Sequence, residues 1–455
     1  MTSTVTMPLW LLIVILAFAA VTFASHFLFP SVRWFFRRRM EKVVARLNER
    51  LERPIQPFKL ARRHDMIQRL IYDPEVSKAI IEHARQEGVP ENVAFQTARS
   101  YAREIVPSFS ASLYFGLAIK LAKLISTSLY RVRLGHHAED HLKAIDPDAT
   151  VVFVMNHRSN MDYVLVTYLA AERSALSYAV GEWAQVWPLS RLIKAMGAYF
   201  IRRKSRNALY RKVLARYVRL ATEGGVMQAV FPEGGLSLDG ALAEPKLGIL
   251  KYIVEGHDVS LRDVVFVPVA INYDRVFEDR ILVTAGQTGE RRFRARISVI
   301  LRFLFKQIWL RLRGKYHRFG YAAVSFGPPV HLHRLLEEES EDTMSKLAAQ
   351  LMRRIGEEVP VLPVPLVASA LLAASGPLDR AALEECVHRL LAQLPDAHLH
   401  LPRNDLGYAV EVGLRNLIGR ALVNEKEGRF SVAQDGRPLI AFYAASIEHL
   451  FEKPL

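Results

Sequence analysis

Residues 151–162 constrain the fold more than any other stretch: Val151-Val152-Phe153-Val154-Met155-Asn156-His157-Arg158-Ser159-Asn160-Met161-Asp162. Five apolar residues, three of them Val, have the character of a buried strand. A polar cluster follows, and Asn156, Ser159 and Asn160 all suit a helix N-terminus. His157 therefore falls where a strand hands over to a helix. His157 and Asp162 are five residues apart, whereas neighbours on one helix face are three or four apart. The two touch only if His157 lies before the helix or in its distorted first turn. There Asp162 can hold one ring nitrogen and leave the other as a base. The spacing alone is not distinctive, because His141/Asp146 and His400/Asp405 share it in a chain with fifteen histidines. Its place at the end of an apolar strand sets His157 apart.

A chain of 455 residues is long enough for two or three domains with a sizeable core. Its formal charge of +15 and pI of about 9.8 favour anionic partners such as nucleic acid, anionic lipid or phosphorylated substrates. The single Cys386 excludes an intramolecular disulfide and a cysteine metal cluster. No P-loop, GxGxxG or HExxH pattern occurs, and the histidines are scattered. Neither a metal site nor a bound cofactor is expected.

Residues 8–29 are almost all apolar, enough to cross a hydrocarbon core of ~30 Å at about 1.5 Å per residue. Behind them come Arg33, Arg37, Arg38, Arg39 and Lys42, with Trp34, Phe35 and Phe36 among them. Aromatic residues and cations on that side predict one transmembrane helix with the following chain in the cytoplasm. Residues 40–145 have a mostly helical pattern, with Gly88 ending one helix and Pro90 starting the next. The apolar stretch 109–130 suits a buried or bilayer-surface helix, and Lys120 and Lys123 argue against a second span.

The middle third alternates strand candidates at 150–155, 226–231, 264–272 and 321–326 with helices such as 205–222. That pattern predicts an α/β fold with a sheet and flanking helices, and a site at the carboxyl ends of the strands. Residues 291–318 hold ten Arg or Lys and no acid, interleaved with aromatic residues. With a membrane anchor upstream, this reads as a membrane-surface element; nucleic-acid binding is the competing reading. After 330 the chain turns helical again, with Pro360, Pro363 and Pro365 as interruptions and a strand-like Phe430-Ser431-Val432. The expected divisions are an anchor (1–40), a helical region (41–140), a catalytic domain (141–335) and a mostly helical C-terminal region (336–455).

Four segments carry the chemistry. They are His157 to Asp162; Gly197-Ala198-Tyr199-Phe200-Ile201-Arg202-Arg203-Lys204; Phe231-Pro232-Glu233-Gly234-Gly235-Leu236-Ser237; and Val267-Pro268-Val269-Ala270-Ile271-Asn272-Tyr273. A base, a cationic clamp and a glycine turn whose N–H groups can hold an anion suit acyl transfer to a phosphorylated alcohol.

In this order the segments resemble the motifs of the glycerolipid acyltransferases, most closely the bacterial membrane-bound glycerol-3-phosphate acyltransferases. The likeness runs over roughly residues 60–375 and includes Pro245-Lys246-Leu247-Gly248 in the third motif and Tyr273-Asp274-Arg275 in the fourth. It implies an acyltransferase-like mixed sheet with His157 as base and Asp162 as its orienting partner. Substrate contacts would come from Arg158, Ser159, Arg202, Arg203, Glu233, Gly234, Gly235, Ser237, Lys246 and Pro268. The co-substrate would be acyl-CoA or acyl-carrier protein, the acceptor the sn-1 hydroxyl of glycerol 3-phosphate, and the location the cytoplasmic membrane, with membrane lipids rather than nucleic acid as partner. Lysophosphatidate or dihydroxyacetone-phosphate acyl transfer, and a membrane-tethered scaffold, are the alternatives. One departure stands out: where the family carries arginines after the paired glycines, this chain has Leu236 and Leu238.

Overall fold

The computed structural model describes residues 8–451, apart from 138, 171–174, 188, 203, 204, 206, 256, 290–308, 310–312, 314–317, 338–341 and 395–396. The side chains at 18, 20–37, 40, 136, 137, 139 and 183 also lie outside the description. The basic stretch 291–318 falls almost wholly among the undescribed residues, as does Arg203. The chain divides into two compact units, 1–54 and 55–455. The first is dominated by one helix, Leu9–Asn48, whose apolar Leu9, Trp10, Ile13, Val14 and Leu16 are all exposed.

The second unit is built on an eight-stranded mixed sheet. Its strands are β1 (Arg131–His137), β2 (Thr150–Met155), β3 (Ser177–Gly181), β4 (Tyr199–Ile201), β5 (Gln228–Val230), β6 (Val264–Tyr273), β7 (Tyr321–Phe326) and β8 (Val330–His331). The order is β1-β7-β6-β2-β5-β3-β4, with β8 also paired to β6. From β6 to β4 the neighbours run parallel, so the carboxyl ends of β2, β3, β4, β5 and β6 share one edge. β7 is antiparallel to β6 and parallel to β1.

β2 lies centrally and every one of its residues is buried. Fully burying a Val or Phe side chain contributes roughly 1.5–3 kcal/mol, so this run of Val and Phe is committed to the core. Pro268 sits in the long central strand β6, where a missing N–H would ordinarily break a ladder. It is tolerated because one neighbour of β6 changes here from β8 to β7, and the Pro268 carbonyl instead accepts from Gly327 N–H at 2.9 Å.

The strands at 150–155 and 321–326 match expectation, while β1, β3, β4 and β8 were not foreseen. β3, β4 and β8 are short, and β1 is an edge strand bearing the exposed Arg131 and Arg133; neither kind has a clear apolar period. The expected helix at 205–222 is Ala208–Glu223, because the Asn207 side chain accepts from Tyr210 N–H and caps it there. Gly88 adopts a left-handed conformation and ends helix Pro74–Glu87, as expected.

Among the described residues, Ala111–Leu129 has the length and apolar composition of a membrane span despite Lys120 and Lys123, and its packing fits the expected buried or bilayer-surface helix. Its Ala118, Ala122 and Leu129 are buried and it packs on helix Met161–Leu169, while Leu117, Leu121 and Leu124 stay exposed. Contrary to expectation, the prolines at 363 and 365 do not interrupt structure. They open the buried helix Pro363–Ala373, where the first turn has no partner for an N–H in any case. Helices Arg380–Ala392, Leu406–Ile418 and Arg437–Glu448 surround it. A small antiparallel sheet of β9 (Leu378–Asp379), β10 (Val423–Lys426) and β11 (Arg429–Val432) completes this region.

Candidate active site

His157 lies in the non-helical turn between β2 and helix Met161–Leu169. That position removes the geometric obstacle of a five-residue spacing. His157 Nδ1 is 2.9 Å from Asp162 Oδ2. The same carboxylate oxygen accepts from the N–H groups of Arg158 (2.8 Å) and Ser159 (3.0 Å), and Oδ1 accepts from the Tyr273 hydroxyl at 2.7 Å. Four donors thus lock one carboxylate. Since Asp162 is an acceptor, Nδ1 carries the proton and Nε2 is the basic nitrogen. The His157 ring stacks on Phe231, centroids 4.0 Å apart, and meets Tyr163 edge-on at 5.5 Å. His157 is 1% and Asp162 0% exposed, so their interaction is little screened by water.

The other two His/Asp pairs make no such contact. Asp146 accepts from Asp148 N–H, and Asp405 accepts from Tyr408 N–H at the start of helix Leu406–Ile418. Spacing did not discriminate among the three; position at a strand end did.

Around this dyad the chain is built from parts distant in sequence. Asn156 extends the sheet: its side chain donates to Ile271 O at 3.0 Å and accepts from Ile271 N–H at 2.8 Å. The Ser159 hydroxyl donates to Glu278 at 2.7 Å, and Asn160 N–H donates to the other oxygen of that carboxylate at 3.2 Å. From the end of β5, Glu233 Oε1 accepts His157 N–H at 2.9 Å. Gly234 has φ +68°, a conformation that suits glycine, and a Cβ there would lie 2.7 Å from Lys246 Cδ. The Gly234 N–H is spent on the Phe231 carbonyl, whereas the Gly235 N–H has no protein partner among the described residues. Ser237 N–H donates to His157 O at 3.0 Å, and its hydroxyl organises the turn through Gly240 N–H and Ala241 O. Leu236 and Leu238 pack on the core.

Arg158 points into the protein. Its Nη1 donates to Gly240 O, its guanidinium lies 5.2 Å from the Phe442 ring centre, and Nε and Nη2 are buried without hydrogen-bond partners among the described residues. The structure therefore gathers His157, Arg158, Ser159, Asp162, Glu233, Gly234, Gly235, Ser237 and Lys246 around one edge of the sheet. Arg202 is on the same edge but three strands from β2, about 14 Å at the usual strand spacing. It pairs with Glu104 at 2.5 Å and lies near the Tyr101 and Tyr210 rings. Tyr273 and Glu278 had no assigned part in the sequence reading. The signals for Tyr273 were its place at a polar strand end and in the motif-like Tyr273-Asp274-Arg275.

Burial pushes the Glu233 carboxyl up to about 7, against the hydrogen bond from His157 N–H and the charge of Arg158. Between pH 4.5 and 7 the folded chain then holds a proton that the unfolded chain has lost. Stability should fall as pH rises through that window, by about 3 kcal/mol for the full shift. Glu233→Gln imitates the protonated form, so urea unfolding of this variant should lose that part of the pH slope. An unchanged slope between pH 5 and 7 would count against a protonated Glu233.

Comparison with known proteins bears on this geometry. Residues 134–272 match a family model described as Acyltransferase, and residues 307–454 one described as Glycerol-3-phosphate acyltransferase C-terminal region. The chain is 29% identical over 426 residues to "Glycerol-3-phosphate acyltransferase" of Pseudomonas entomophila (strain L48), covering 87% of this chain and 50% of that protein. It is 27% identical over 444 residues to the protein of the same name from Xanthomonas campestris pv. campestris, covering 91% and 48%. The chain spans about half the length of these curated relatives. A solved structure of a 1-acyl-sn-glycerophosphate (LPA) acyltransferase, PlsC, from Thermotoga maritima is 19% identical, with a TM-score of 0.34 over 53% of this chain and 77% of that one.

Proposed function

We propose that the chain, which is similar to glycerol-3-phosphate acyltransferases over most of its length, transfers an acyl group from acyl-CoA or acyl-carrier protein to the sn-1 hydroxyl of glycerol 3-phosphate. The observation that carries this reading is the His157–Asp162–Tyr273 chain at the carboxyl edge of the sheet. His157 Nε2 takes the proton from the acceptor hydroxyl, and the oxygen attacks the thioester carbonyl carbon. Asp162 holds the ring and offsets its developing charge. The Gly235 N–H is the backbone donor suited to the tetrahedral oxyanion. As the intermediate collapses the C–S bond breaks, and the departing sulfur takes the proton from His157. This chemistry uses side chains and backbone alone.

The experiment offers purified protein one acyl donor and, separately, glycerol 3-phosphate, dihydroxyacetone phosphate and lysophosphatidate, then identifies the product. Predominant 1-acyl-glycerol 3-phosphate supports the reading. Product only from lysophosphatidate or dihydroxyacetone phosphate would move the acceptor to the alternative, and no product from any would leave a scaffold.

With leucines at 236 and 238, the acceptor phosphate falls to Arg202, Arg203 and Lys246 in this proposal. The close packing of Lys246 on Gly234 favours a part for it. Neutralising Arg202 or Lys246 should raise the acceptor KM by about tenfold or more while changing the donor KM little. If both variants keep the normal acceptor KM, the phosphate is held elsewhere. For location, the proposal is a single span at 8–29 in the cytoplasmic membrane with the catalytic unit in the cytoplasm. A reporter fused after Arg39 should be active only as a cytoplasmic fusion; a periplasmic signal would contradict this.

A further inference from the structure

The sheet edge opposite His157 holds a second polar cluster with no part in the chemistry above. Asp263 immediately precedes β6, whose other end reaches the active site; at ~3.3 Å per residue that ten-residue strand separates the two by about 30 Å. His331 ends β8, which pairs with the start of β6, and His333 lies two residues later in the first turn of helix Leu332–Glu337. Both imidazoles turn to one carboxylate oxygen. His331 Nδ1 is 3.1 Å and His333 Nδ1 2.8 Å from Asp263 Oδ2. His333 N–H donates to Oδ1 at 3.2 Å and so fixes the carboxylate, and the two rings meet edge-on at 5.4 Å.

The three donor atoms all lie within 4.8 Å of one another and are only half-buried. With metal bonds of about 2.0–2.2 Å, cis ligand atoms are about 2.9 Å apart in an octahedron and about 3.4 Å apart in a tetrahedron. The two N–O separations fall at that scale. We propose that Asp263, His331 and His333 form a binding site for a divalent transition-metal ion, Zn2+ fitting the donors best. Two neutral imidazoles and a carboxylate are borderline donors of the kind Zn2+ takes, and they leave at least one position for water. The backbone donor on Oδ1 is the outer support that metal-bound carboxylates ordinarily have. An ion here would staple the start of β6 to the segment after β8, residues nearly seventy apart in sequence, and so act on stability. Sequence spacing concealed the cluster because one ligand lies far from the other two.

The test uses untagged, chelator-treated full-length protein and Zn2+ alone, measured by calorimetry and by thermal unfolding. We expect one Zn2+ per chain in the micromolar range or tighter, with a rise in Tm. His331→Ala and His333→Ala should each weaken binding by at least ~10-fold, whereas His141→Ala should leave it unchanged. Circular dichroism checks folding, and His333→Gln replaces any variant that unfolds. The absence of saturable binding, or binding that survives the changes at both His331 and His333, would overturn the proposal and leave the contacts as hydrogen bonds.

Discussion

His157→Ala should lower kcat by about 10²–10⁴, the usual cost of losing a general base. The expected loss is chemical because the assigned substrate contacts belong to other residues. His141→Ala and His400→Ala should keep near-normal rates, since neither imidazole is held by the Asp five residues on. Asp162→Asn should cost nearly as much as the change at His157. An amide in place of the carboxylate cannot accept all four of the present hydrogen bonds, so the ring loses its tautomer and the imidazolium its counter-charge. Tyr273→Phe removes one of the four and should fall between Asp162→Asn and the wild type. Steady-state rates with circular dichroism on each variant decide the matter; a folded Asp162→Asn chain with full kcat would separate the carboxylate from catalysis.

The second large effect is expected away from the dyad, at Gly240. This residue has φ +97°, and a Cβ there would lie 1.8 Å from the Phe442 carbonyl oxygen. Its own carbonyl accepts from Arg158, whose guanidinium lies near the Phe442 ring. Gly240→Ala must therefore move either the loop after β5 or helix Arg437–Glu448, in addition to straining the backbone. A loss on the order of 3–5 kcal/mol is expected, together with reduced kcat, because the displaced loop also carries the Ser237 bond to His157. Gly428→Ala is the matched control: φ is +73°, but no atom lies within 4 Å of the added Cβ, so only about 1 kcal/mol of backbone strain is at stake. Urea unfolding of the two variants side by side tests this. Equal losses would mean that the C-terminal helix does not brace the loop.

These contacts also explain what could be read from sequence. The dyad was legible because it is local: an apolar strand, a polar turn and an acid at the second position of a helix are all in one twelve-residue stretch. Central strands were legible because full burial demands continuous Val, Ile and Phe. Short strands and the exposed edge strand were not, since nothing in their composition separates them from loop or helix. The partners of the dyad were hidden for a different reason. Tyr273 lies 111 residues from Asp162, Glu278 119 from Ser159, and Phe442 far beyond either. Tertiary proximity across such separations has no periodic signature. Arg158 shows the consequence: the family resemblance implied a substrate contact, yet its guanidinium is directed into the packing against helix Arg437–Glu448. The leucines at 236 and 238 are apolar because they pack on the core.

The most direct measurement of the central claim is thiol release from acyl-CoA or acyl-carrier protein by the purified, folded chain, with and without glycerol 3-phosphate, run in parallel on His157→Ala. The account predicts release that depends on glycerol 3-phosphate in the wild type and that falls at least ~10²-fold in the variant. Release indifferent to glycerol 3-phosphate, or a folded His157→Ala chain that still transfers at the wild-type rate, would contradict it.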